Sequence, residues 1–145
     1  MNAAAMLIDL RAHQNLCREL LTVVERERRL LHAPEVPSLA QLYETKRALL
    51  PRLNQSLEKV REHRFKWVQA DATERSGQPE VTALIRQVQD LIMRVIVMDR
   101  ENEQSLLRRG LMAPGQLPSA NQQRPNFVAQ LYRQSAPAAS TPVDG

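Results

Sequence analysis

The sequence predicts an all-α protein built from three long antiparallel amphipathic helices, followed by a mobile, proline-rich C-terminal tail. Three observations carry this. Aromatic residues make up only 3% of the 145 residues and glycines number 4, too few for a sheet protein that draws on aromatic side chains and turn glycines. Leu, Ala, Arg, Gln and Glu, all good helix formers, dominate instead. Apolar residues recur at helical spacing over three stretches, each bounded by proline- or glycine-containing segments.

The first stretch runs from about Ala4 to His32. Leu10, Cys17, Val24 and Leu31 recur every seven positions, with Leu20 and Leu21 between, which lays a stripe along one helix face. Pro34 and Pro37 end it, because proline cannot continue the hydrogen-bond ladder. Ser38-Leu39-Ala40-Gln41 has the form of a capping box and opens the second helix. Leu39, Leu42, Leu49, Leu50, Leu53, Leu57, Val60 and Trp67 mark its buried face. Pro51 predicts a kink rather than a break, since the stripe continues in phase beyond it.

Residues 71–79 read as a polar connection, with Ser76-Gly77-Gln78-Pro79 as the turn. The third helix then runs from Pro79 to about Arg109. Arg108 and Arg109 complement the negative end of its dipole, and Gly110 suits the position just past its end. Residues 1–109 are therefore expected to form the bundle and residues 110–145 the tail. Within the tail, residues 126–133 form a short apolar island in which Phe127, Val128, Leu131 and Tyr132 share a face if it is helical.

The charge pattern narrows the function. The net charge is +4, but acids and bases interleave along the chain, as in Glu25-Arg26-Glu27-Arg28-Arg29, which reads as a solvated helix face rather than a nucleic-acid footprint. The only cysteine, Cys17, excludes an intramolecular disulfide and fits a reducing compartment. The N-terminus lacks the pattern of a signal peptide, and the most apolar run, Leu91 to Met98, is interrupted by Arg94 and shorter than a membrane span. A cytoplasmic protein without membrane insertion is expected. No phosphate loop, His-Glu-x-x-His motif or nucleophile elbow is present, so neither catalysis nor a cofactor is expected. His13 and Cys17 share a helix face but are only two potential ligands, too few for a metal site, and His13 is expected at the edge of the stripe. The carboxylates all lie beside basic residues and read as exposed.

What remains is an excess of apolar surface. Ile92, Met93, Val95, Ile96, Val97 and Met98 wrap past the arc that a three-helix core covers. This fits a thicker core, a homodimer seam, or a groove for a partner helix lined by adaptable methionines at 93, 98 and 112.

The run Leu42-Tyr43-Glu44-Thr45-Lys46-Arg47-Ala48-Leu49-Leu50, the segment Asp99-Arg100-Glu101-Asn102-Glu103-Gln104-Ser105-Leu106-Leu107 and the tail pair Leu131-Tyr132 resemble motifs of the FlgN family of flagellar export chaperones. The resemblance implies a chaperone without ATPase activity. Such a chaperone binds the C-terminal helices of hook–filament junction proteins and delivers them to the export gate. Ile92, Val95, Ile96, Leu106, Leu107, Phe127, Leu131 and Tyr132 are then the candidate partner-binding residues, with Tyr132 serving the gate. The competing reading is a homo-oligomeric coiled-coil adaptor with no client.

Overall fold

Apolar stripes repeating every three to four residues must be buried against one another, and here three of them meet lengthwise. The structure, a computed structural model, describes residues 1–110 and Tyr132. The expected tail organisation, including Phe127, Leu131 and Met112, otherwise lies outside the described residues. Four helices are formed: α1 (Ala3–Leu31), α2 (Ala40–Gln69), α3 (Ala72–Ser76) and α4 (Pro79–Arg108). No strand occurs among the described residues.

The three long helices are those expected, within a residue or two at most ends. The fourth, α3, is a correction. The stretch taken as a polar connection contains Asp71, whose carboxylate accepts a hydrogen bond from the Glu74 backbone N–H at 2.7 Å and so initiates one turn of helix. A side chain of Arg75 donates to the Val68 and Ala70 carbonyls and folds that turn back onto the end of α2. The start of α2 also differs. Ser38 does not cap the third residue on; its hydroxyl accepts from Ala40 N–H at 3.4 Å, and the helix begins at Ala40 without a side-chain cap. Pro51 lies within α2, which continues unbroken past it. At the end of α4, Gly110 adopts φ 66°, the left-handed conformation a helix-terminating glycine supplies without strain.

Paired side chains give the helix directions. Arg11 meets Glu80, Gln14 meets Gln87, Glu25 meets Arg94 and Arg28 meets Glu101, so α1 and α4 run parallel. Asp9 meets His63, His13 meets Ser56, Glu19 meets Arg52 and Glu27 meets Lys46, so α2 runs opposite to α1. The order is up, down, up, with α1 in the middle. It packs along both α2 and α4, which approach each other closely at few points.

Two apolar clusters form the core. One joins Cys17, Leu20 and Val24 of α1 to Leu49 and Leu53 of α2 and to Ile92 and Val95 of α4. The other joins Met6 and Leu10 of α1 to Val81, Leu84 and Val88 of α4, with Val60 and Trp67 of α2 at its edge. The stabilisation is the ordinary one, about 1.5–3 kcal/mol for each large aliphatic side chain fully removed from water.

Candidate partner-binding groove

Because α1 separates the other two long helices, a groove opens between the C-terminal half of α2 and the N-terminal half of α4. It encloses about 350 Å³. Met6, Leu10 and His13 of α1 form its floor. Leu57, Val60, His63, Arg64, Trp67 and Val68 form the α2 wall, and Val81, Ile85, Val88, Gln89 and Ile92 the α4 wall. The lining is overwhelmingly apolar, with Arg64 and Gln89 exposed at the rim. Val68 is 65% exposed, and its neighbour Phe65 is exposed to the same degree. A four-helix bundle lacking one helix has this cross-section: a floor, two walls and an open side.

Tyr132 also lines the groove, at the end nearest the middle of the bundle. Its hydroxyl is hydrogen-bonded with His13 Nε2 at 2.8 Å and lies 3.7 Å from Cys17 Sγ. The His13 ring is tilted 55° to the Tyr132 ring, with centroids 6.1 Å apart. On its other side, His13 Nδ1 is hydrogen-bonded with Ser56 Oγ at 2.9 Å. Burial sets the ionisation of all three groups. It lowers the His13 pKa to about 4, so the imidazole is neutral at pH 7. It pushes the Cys17 thiol up to about 11 against the opposing Tyr132 contact, and it raises the Tyr132 phenol well above its ordinary value. His13 is thus a buried hydrogen-bonding residue, only 1% exposed, not one at the edge of the stripe as its sequence position suggested.

Beyond the closed end of the groove lies a second feature that the sequence reading missed. Glu27, Lys46, Asp99 and Asn102 are buried together, one from α1, one from α2 and two from α4. Lys46 Nζ donates to Asp99 Oδ1 and, at 3.5 Å, to Glu27 Oε1. Asn102 Nδ2 donates to Glu27 Oε1 at 2.9 Å and to the Val24 carbonyl at 3.0 Å. Burial raises the Asp99 pKa to about 6 against the pull of Lys46, and the nearby Glu27 and Glu103 charges raise it further. The Tyr43 phenol, facing the same carboxylates, is held well above its usual range, first by burial and then by Glu27. The expectation that every carboxylate is exposed is therefore corrected at two positions. A signal existed: Glu27 falls between Val24 and Leu31, Lys46 between Leu42 and Leu49, and Asp99 between Val95 and Asn102, each at core spacing on its own stripe.

The residues singled out from the sequence separate into three groups. Ile92, Val95 and Leu106 are buried in the core, Ile92 also lining the groove. Ile96 packs half-buried against the central cluster, and Leu107 is 44% exposed. Tyr132 sits between the helices as described, while Phe127 and Leu131 are outside the described residues. Most of the apolar excess in 92–98 is absorbed by the core, leaving Met93 and Val97 exposed on the outer face of α4. No helix among the described residues is long and apolar enough to cross a membrane. No cluster of three or more potential metal ligands occurs among the described residues.

The three long helices thus form a bundle with an open apolar groove beside a buried ionic layer. Comparison with protein families assigns it further: the model of the FlgN protein family matches residues 1–135, and the chain belongs to that family of flagellar export chaperones. Neither a curated protein nor a solved structure gives a match.

Proposed function

We propose that this protein is a cytoplasmic flagellar type III export chaperone that covers C-terminal helical segments of hook–filament junction proteins and delivers them to the export gate. The observation that carries the reading is the three-sided apolar groove between α2 and α4. An unassembled coiled-coil terminus exposes an apolar stripe that aggregates readily, and a groove that supplies a floor and two walls replaces its missing neighbours. Membership of the FlgN family supports the same conclusion.

Within this reading, Ile96 and Leu107 are available to a client without rearrangement and Ile92 is met at the inner end of the groove, whereas Val95 and Leu106 are buried and serve as anchors only where a client rearranges the bundle. Phe127 and Leu131 complete the apolar set, and Tyr132 is assigned to the export gate.

The test is light scattering after size-exclusion chromatography, on the protein alone and with the C-terminal segment of a junction protein from the same genome. A defined complex supports the proposal. A stable homo-oligomer that ignores the segment overturns it and favours a coiled-coil adaptor assembled through the exposed Met93 and Val97.

A further inference from the structure

Residues 126–133 carry an apolar face in the sequence, and the structure leaves the groove between α2 and α4 with an open side. Tyr132 connects the two. Its ring packs on the central cluster, its hydroxyl reaches the paired side chains His13 and Cys17, and it forms part of the groove lining. The stretch between Gly110 and Tyr132 is easily long enough for the return to the bundle, at up to ~3.3 Å per residue.

We infer that the groove is the docking site of this chain's own segment 126–133, with Tyr132 as its anchor, and that a client helix must displace this segment to enter. The inference rests on the proposed chaperone reading for the identity of the competitor, but not for the docking itself. Phe127, Val128 and Leu131 precede Tyr132 at helical spacing, so a helix seated by the tyrosine turns those side chains toward the same apolar walls. The wall at Tyr132 has room for one occupant: His13 has a single neutral ring, with one nitrogen committed to Ser56 and the other to Tyr132. The chain carries no carboxylate between Gly110 and Val143, so the segment brings nothing to pair with Arg64 at the rim. Its hold therefore depends on apolar burial and the tyrosine hydroxyl. A helix that presents a carboxylate to Arg64 holds the groove more firmly, which gives displacement a direction.

Cys17 supplies the readout, since it is the sole thiol of the chain, fully buried and in contact with Tyr132. In the full-length protein, Tyr132→Ala and the paired Phe127→Asp, Leu131→Asp variant are both expected to raise the rate of Cys17 modification by Ellman's reagent about tenfold or more, because opening there becomes local rather than coupled to the tail. Circular dichroism spectra matching the parent show that the bundle is intact. Tyr132→Phe keeps the ring and is expected to raise the rate far less. Unchanged thiol reactivity in both tail variants overturns the docking.

The second arm uses protein labelled with 3-fluorotyrosine, whose two resonances, from Tyr43 and Tyr132, are assigned with Tyr132→Phe. On addition of the junction-protein C-terminal segment, the Tyr132 resonance is expected to move to its solvent-exposed position, and Tyr132→Ala is expected to bind the segment several-fold more tightly. A bound segment with Tyr132 unmoved overturns the displacement. A segment that does not bind at all sinks the chaperone reading, while the thiol rates still decide the docking.

Discussion

Glu27 of α1 and Lys46 of α2 meet at 3.5 Å with neither side chain more than 7% exposed, and both are tied to α4, Glu27 through Asn102 and Lys46 through Asp99. All three long helices are joined at this one level by charge-assisted hydrogen bonds. Removing a partner from such a layer costs more than the layer contributes, because the remaining charge stays buried.

Lys46→Met is the sharpest test of that asymmetry. It leaves Glu27 and Asp99 buried without their cation, and a destabilisation of about 3–5 kcal/mol at pH 7 is expected from urea unfolding. The loss should shrink at pH 5, where Asp99 takes up a proton. A variant as stable as the parent at pH 7 would show that the layer is hydrated rather than closed.

Two buried groups give opposite pH dependences. The Asp99 pKa is raised from 3.8 to about 6, so the native state holds the extra proton and this group favours folding most at low pH, the advantage fading as pH rises through 6. The His13 pKa is lowered from 6.5 to about 4, so its contribution is full above 6.5 and is lost as pH falls toward 4. Between pH 6 and 4 the two oppose one another. Asp99→Asn removes one side of the balance, and its stability is expected to fall more steeply than the parent's on acidification across that range. Parallel curves for parent and variant would contradict the raised Asp99 value.

The core and the outer face of α4 should respond differently to truncation. Leu53 is fully buried in the central cluster, and Leu53→Ala is expected to cost about 2–5 kcal/mol through lost burial and the cavity left behind. Val97 is 48% exposed, and Val97→Ser is expected to stay within about 0.5 kcal/mol of the parent. Thermal unfolding at several protein concentrations checks both. A concentration-dependent midpoint lost in Val97→Ser would mark that face as a self-association surface.

The groove and the outer α4 face make separable predictions for client binding. Val68 lines the groove and is well exposed, so Val68→Asp leaves the core intact while placing a charge against an incoming apolar stripe. It is expected to weaken binding of the junction-protein segment by about 2 kcal/mol or more, measured by calorimetry. Leu107→Asp, on the other end of α4, serves as the comparison. Stronger loss there than at Val68 would move the client site toward the end of the bundle marked by Leu106 and Leu107.

The helices were legible because their determinants are local: Leu10, Cys17, Val24 and Leu31 repeat, prolines bound them and Gly110 ends the last. The short helix α3 was missed although Asp71 and Glu74 stand three apart, because a five-residue turn has no apolar repeat to announce it. The ionic layer was missed for a different reason. Glu27, Lys46 and Asp99 each have charged neighbours in sequence, and only the superposition of three stripes at one height shows that one lysine faces both carboxylates. The groove depends on which helix lies in the middle, a tertiary choice that no single stripe records. The core positions of Ile92 and Val95 follow from the same choice, since Cys17, Leu20 and Val24 of α1 pack on that face of α4.

The placement of α1 between its two neighbours makes it a spine, with α2 and α4 as hinged covers. The covers are fastened at both ends of the opening: by the continuous chain through α3 at one, and by the central apolar cluster, with the Lys46–Asp99 pair behind it, at the other. Such a slot can widen by splaying the covers, but its length is fixed by its fastenings. From Val81 to Ile92, the α4 residues that line it, the span is ~17 Å at 1.5 Å per helical residue, enough for about three turns of a guest. The slot therefore measures its occupant by length rather than by girth, and extending a bound peptide beyond three turns should add nothing to its affinity.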